Sequence, residues 1–152
     1  MSFLPYTIEE QAAAMSAAWP LFAQRRFRAE AIIWRGMLKP HSRPYEVEIA
    51  YSMDMVLDGP EVRVLSPGLT RLPGNPEGSI PHVYNRDNDP VLCLFDPARE
   101  QWSGWRLVSE TTVPWAIDWL ACYEFWLMTG VWDGGGRHPP SNGRRINVEN
   151  RP

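Results

Sequence analysis

The stretch from Thr111 to Thr129 carries only two charged residues, Asp118 and Glu124, and this limits what the rest of the chain can be. Thr111 or Thr112 can cap a helix here, Pro114 suits its first turn, and Gly130 stands just past its end. The two acids fall on different faces, so the helix is either buried on most sides or forms an interface. Trp115, Trp119, Tyr123 and Trp126 recur at spacings of four, four and three and form one stripe. Core packing is the plain use of such a stripe, and a ligand cage is the other. The apolar run Val113–Met128 contains both acids and is shorter than the roughly 20 residues that cross a bilayer, so no membrane span is expected. A chain of 152 residues has room for one domain with one core around this helix.

The other elements follow from local signals. Thr7 and Glu10 stand at capping-box spacing ahead of an Ala-rich segment, which predicts a helix over Ile8–Ala18. Pro20 ends or kinks it, leaving a short further turn through Arg25. Glu30–Leu38 is rich in β-formers and closes at Pro40. Tyr45–Met53 alternates, with Tyr45, Val47, Ile49, Tyr51 and Met53 on one face, the mark of a half-buried strand. Asp58-Gly59-Pro60 is a turn, and Glu61–Leu65 is a third strand. Short connections predict an antiparallel meander, so the fold class is α+β.

Between Ser66 and Asn88 seven Pro and Gly residues puncture regular structure, and a loop this long in a small domain is functional or disordered. Within it Ile80–Tyr84 can run extended. Asp87–Pro90 forms a turn, and Val91–Phe95 is a brief buried segment. A domain over residues 1–140 and a polar tail over 141–152 are expected.

Charge and composition exclude several functions. Fifteen basic residues stand against eighteen acids, a net charge of −3, which argues against nucleic acid as a partner. Lys39 is the single lysine, and nothing around it suggests Schiff-base chemistry. His41, His82 and His138 show no metal-binding spacing, and two cysteines cannot hold zinc without their help. No phosphate-loop or dinucleotide motif is present. Gly134-Gly135-Gly136 follows a helix and precedes none, so it reads as a flexible turn rather than a phosphate cradle. No cofactor and no metal are therefore expected, and any high-energy bond must be made with energy supplied from elsewhere. The N-terminus MSFLPYTIEE lacks a basic start and an apolar run, so a reducing cytoplasm with thiols intact is expected.

Cys93 is the first candidate for chemistry. It follows His82 by eleven residues, across a turn, at the edge of the irregular loop. A nucleophilic thiol needs access and a lowered pKa. A cysteine between Leu92 and Leu94 also reads simply as a small core residue. Cys122, mid-helix among aromatics, is expected to be core. His82 either holds the loop through backbone hydrogen bonds or acts as a base.

His82-Val83-Tyr84, Leu92-Cys93-Leu94-Phe95, Thr112-Val113-Pro114-Trp115, Trp119-Leu120, Tyr123-Glu124-Phe125-Trp126-Leu127, Thr129-Gly130 and Trp132-Asp133-Gly134-Gly135-Gly136 together narrow the choice. With the meander they resemble the prokaryotic ubiquitin-conjugating-enzyme-like family of cyclic-oligonucleotide-based anti-phage signalling systems (CBASS), in its stand-alone form, over roughly residues 28–139. The resemblance implies a ubiquitin-conjugating-like fold: N-terminal helix, β-meander, long active-site loop and buried C-terminal helix. It implies a transferase whose catalytic Cys93 takes the C-terminus of a cGAS/DncV-like nucleotidyltransferase (a cyclic GMP–AMP synthase-like enzyme) as a thioester and passes it to an amine. His82 matches the family histidine ahead of the thiol. Eukaryotic relatives carry His-Pro-Asn, with Asn aiding the oxyanion. Here Val83 and Tyr84 follow His82, so that role would fall to Asn85, Asn88 or a backbone N–H near Cys93. With no ATP motif, the acyl group must arrive already activated, through a separate activating enzyme or an activated donor. Two other readings use the same residues: a thiol hydrolase acting on isopeptides or esters, and a non-catalytic adaptor of the same fold.

Overall fold

The computed structural model describes residues 4–70, 80–84, 88–95 and 101–132. Helix α1 spans Ile8–Ala18. The Thr7 side chain accepts from the Glu10 amide, and Glu10 reaches back to the Thr7 amide, so the expected capping box is present. Ile8, Gln11, Ala12 and Met15 point inward at the three-and-four spacing of one helical face.

A four-stranded antiparallel sheet follows in the order β1-β2-β3-β4, with β1 at Ala23–Arg28, β2 at Ala31–Leu38, β3 at Tyr45–Ser52 and β4 at Glu61–Ser66. Three of these strands match the expected meander. Strand β1 corrects the expectation of a further helical turn through Arg25. Every residue of β1 is exposed, so it carries no burial alternation in its sequence, and it is stabilised by pairing its backbone with β2. Arg25, Arg26 and Arg28 on this outer strand discourage pairing with another chain. On β3 the inner residues Tyr45, Val47, Ile49 and Tyr51 are all buried, as the alternation predicts. Met53 lies beyond the strand, in a 3-10 turn over Met53–Met55.

Strands β5 (Val83–Tyr84) and β6 (Val91–Leu92) form a separate small hairpin, pairing Val83 with Leu92 and Tyr84 with Val91. Helix α2 runs Thr112–Thr129 and stops at Gly130, which is left-handed with φ 78°. Thr111 does not cap it with its side chain. Its hydroxyl instead donates to the Leu107 carbonyl and accepts the Trp102 indole N–H, so it is committed to the preceding turn. The inner faces of α1, the sheet and α2 share one continuous core with Trp102 and the β5–β6 hairpin. The expected helix, meander and late helix are therefore observed in that order, and the chain is α+β. Residues 71–79 and 85–87 of the expected loop, Gly134–Gly136 and the expected polar tail 141–152 lie outside the described residues.

The stripe on α2 is core. Trp119, Tyr123 and Trp126 are buried, with Trp119 stacked on Tyr123 at 5.5 Å and Trp132 closing over Trp119 and Trp126. Trp115 is half-buried, and Phe125 and Met128 are exposed, so the helix keeps one open side. Trp102 and Trp105 part ways: Trp102 is buried beside Tyr51, and Trp105 is exposed.

Candidate functional site

The β5–β6 hairpin places Cys93. One residue past the last ladder pair, the Cys93 amide donates to the His82 carbonyl at 2.9 Å, which extends the pairing to these two positions. The same carbonyl accepts the indole N–H of Trp119 at 3.0 Å, so α2 fixes the hairpin from beneath. His82 has φ 57°, a left-handed conformation in which histidine is enriched over most residues, and its ring packs on Trp132 at 5.2 Å. His82 and Cys93 are thus brought together, His82 carbonyl to Cys93 amide.

The Cys93 thiol sits 3.4 Å from the Tyr84 hydroxyl and 3.6 Å from the Phe95 carbonyl, and its single proton can donate to either. It is 4% exposed, whereas Cys122 is half-buried. The expectation that Cys122 is core is corrected, because it lies on the face of α2 that carries the exposed Asp118, Phe125 and Thr129. Tyr84 and Phe95 also line a cleft of about 310 Å3, with Gly59, Leu94 and the acids Asp58 and Glu61 on its walls. The thiol therefore lies just behind a cleft whose walls include two of its own neighbours. Phe95 closes this wall against Gly59 and Trp115. Gly59 has φ 87°, and a Cβ there would come within 2.8 Å of the Phe95 ring. Only glycine suits both demands.

Among the expected oxyanion donors, Asn88 and one backbone N–H near Cys93, its own, are placed. The Cys93 N–H is spent on His82, and Asn88 is exposed in the hairpin turn. Asn85 lies outside the described residues. Tyr84 was not anticipated at the thiol. The signal was available: if His82 opposes Cys93, then Tyr84, two residues along the same strand, is its diagonal neighbour.

Arg63 of β4 anchors the hairpin turn. Its Nε lies 3.0 Å from both carboxylate oxygens of Asp89, and this contact holds the Asp89 carboxyl below its ordinary range. Arg63 also bonds Glu61 at 3.2 Å.

A family model described as Type II CBASS E2 protein matches residues 11–139. The chain belongs to the Type II CBASS E2 family. No curated protein matches it. The CBASS E2 match contains the meander, the hairpin with Cys93 and all of α2, so the resemblance stated from the sequence holds. It places the protein in CBASS defence with an E2-like role. Among the described residues, no helix of this CBASS E2 is long and apolar enough to cross a membrane.

Proposed function

We propose that this CBASS E2 is a ubiquitin-conjugating-like cysteine acyl transferase. Cys93 forms a thioester with the C-terminus of a cGAS-like nucleotidyltransferase and conjugates it to an amine, priming cyclic-oligonucleotide defence. The observation that carries the reading is the Cys93 thiol, held by a fixed hairpin directly behind the walls of a cleft, in a chain of E2-like family. A thiolate suits the task because it is nucleophilic near neutral pH and leaves readily when an amine attacks. The burial of Cys93 supports the water exclusion that a thioester needs to survive. His82 serves as a holder of the hairpin rather than as a base, since its carbonyl joins Cys93 to Trp119. The acyl group reaches Cys93 already activated, through a separate activating enzyme or an activated donor. The protein works in the cytoplasm.

The test is intact-mass analysis after co-expression with the neighbouring nucleotidyltransferase. A species at the sum of both masses less one water, lost with thiol reductant, is expected. Cys93→Ser gives a reductant-resistant ester if its hydroxyl accepts the acyl group, and Cys122→Ala still forms the wild-type adduct. Absence of the wild-type adduct under activating conditions, or its persistence in Cys93→Ala, overturns the proposal. The burial of Cys93 also favours a second reading, a non-catalytic adaptor. Under that reading Cys93→Ala activates the nucleotidyltransferase as well as the wild type does.

A further inference from the structure

We infer that Tyr84 is a catalytic residue of this site, its hydroxyl donating a hydrogen bond to the oxyanion formed when an acyl carbonyl is attacked at Cys93. The inference rests on the acyl-transfer reading above. Three observations carry it. The Tyr84 hydroxyl is 3.4 Å from the Cys93 sulfur. Tyr84 lines the cleft by which a carbonyl would approach. The backbone of the hairpin fixes both residues, with Tyr84 paired to Val91 and Cys93 to His82.

The chemistry follows from the inventory of a phenol, one donor and two acceptor positions, with a proton that rotates to suit its partner. In the resting site the thiol is within donating distance of this oxygen and of the Phe95 carbonyl. Once the thiol ionises, the same contact reverses and the hydroxyl donates to sulfur. When the sulfur attacks an acyl donor activated as an adenylate or a thioester, the C–S bond forms and the carbonyl π pair moves onto oxygen. That oxygen lies one bond from the carbon attached to sulfur, within reach of a hydroxyl already touching sulfur. Collapse expels the nucleotide phosphate or the donor thiolate, and the thiol proton goes to solvent. In discharge an amine attacks the thioester carbon and the same oxygen becomes negative. The C–S bond then breaks, and the departing thiolate ends with the proton that the amine gives up. Tyr84 keeps its own proton throughout. Of the alternative donors described, the Cys93 amide is committed to His82 and Asn88 faces solvent.

The test uses the full chain with Cys122→Ser, so that Cys93 is the one thiol, with its modification read by peptide mapping, and two reagents. p-Nitrophenyl acetate acylates the thiol through an oxyanion. Iodoacetamide alkylates it by displacement, with no oxyanion. At a pH where the thiol is ionised, Tyr84→Phe is expected to slow acylation about 100-fold, the scale of losing one oxyanion donor. Alkylation at that pH stays within about twofold, because the reagent bypasses the step Tyr84 assists. Equal loss with both reagents makes Tyr84 a packing residue and overturns the inference, as does unchanged acylation. A second measurement needs no variant. Replacing the ester carbonyl oxygen by sulfur weakens its acceptance of a hydrogen bond, so the wild type should prefer the oxygen ester far more strongly than free cysteine does. An equal preference overturns the inference even if Tyr84→Phe fails to fold. Wild-type charging by the nucleotidyltransferase with no Tyr84 effect removes Tyr84 alone. A Tyr84 effect without any nucleotidyltransferase adduct removes the partner reading alone.

Discussion

His82 and Cys93 are joined main chain to main chain, carbonyl to amide, at 2.9 Å, and the His82 carbonyl is shared with the Trp119 indole. The position of the thiol is therefore set by a backbone bond that α2 reinforces, and the His82 ring is turned to Trp132. A left-handed residue at this point directs one carbonyl to two donors, so the demand on position 82 is conformational before it is chemical.

That demand predicts a ranking of variants. Asparagine tolerates the left-handed region and alanine does not, so His82→Ala should be less stable than His82→Asn by about 1 kcal/mol. Both lose the ring contact with Trp132. Adduct formation on Cys93 should follow the folded fraction in each variant, with His82→Asn the more active. Thermal melts paired with charging assays check this. A base role for the imidazole would show instead as equal loss of acyl transfer in both variants, with melting temperatures kept and Cys93 still charging.

The burial of the two thiols predicts their labelling. A bulky disulfide reagent should modify half-buried Cys122 before Cys93 in the resting protein. Phe95 closes the wall between the cleft and the thiol, so Phe95→Ala should speed Cys93 labelling about tenfold, an opening made about 1.4 kcal/mol easier. Peptide mapping after timed quenching separates the two sites. A Cys93 rate unchanged by Phe95→Ala would mean that the thiol is reached by another route.

Elements with a strong local signal were legible in the sequence. The Thr7–Glu10 box placed α1, alternation placed the inner face of β3, and Gly130 marked the end of α2. Strand β1 was not legible, because an edge strand exposed along its whole length leaves no alternation to read. Thr111 looked like a cap because its type is right for one. Its hydroxyl is taken by Trp102 and Leu107, and such tertiary competition leaves no local trace. Around the site, the extended segments that contribute Val83–Tyr84 and Val91–Leu92 were readable on either side of the turn between them. The greater burial of Cys93 over Cys122 was not, since it depends on which side of α2 the core covers.

Gln11 is a polar residue at 0% exposure whose cost of removal is calculable. Its amide N–H donates to the Arg106 carbonyl, and its oxygen accepts the Val108 amide, each at 2.9 Å. It thus satisfies one acceptor and one donor of the segment leading into α2. Gln11→Leu keeps much of the volume and leaves both backbone groups without that partner. Unfolding by urea should show a loss of about 3 kcal/mol, with the slope unchanged. A loss under about 1 kcal/mol would mean that the segment finds other partners when Gln11 is gone.

The Arg63–Asp89 pair gives the hairpin a pH dependence of definite sign. Arg63 lowers the folded pKa of Asp89 below its ordinary 3.8, chiefly by direct hydrogen bonding. A carboxyl depressed on folding adds stability that is fully present above the unfolded pKa and is lost as pH falls through the folded one. The stabilisation should therefore be complete at neutral pH, begin to fade near pH 4 and vanish below the depressed value. Asp89→Asn removes the charge at every pH. The difference in melting temperature between the wild type and Asp89→Asn should be constant from neutrality down to mildly acidic pH and then close as acid is added. High salt should shrink it, since Asp89 is exposed. The same variant loosens the turn that carries β5 and β6, so Cys93 should label faster in Asp89→Asn at neutral pH, and the two proteins should converge in labelling rate at low pH, after correction for thiol ionisation. A melting-temperature difference that grows on acidification would show that Asp89 is not held by Arg63 in the folded protein.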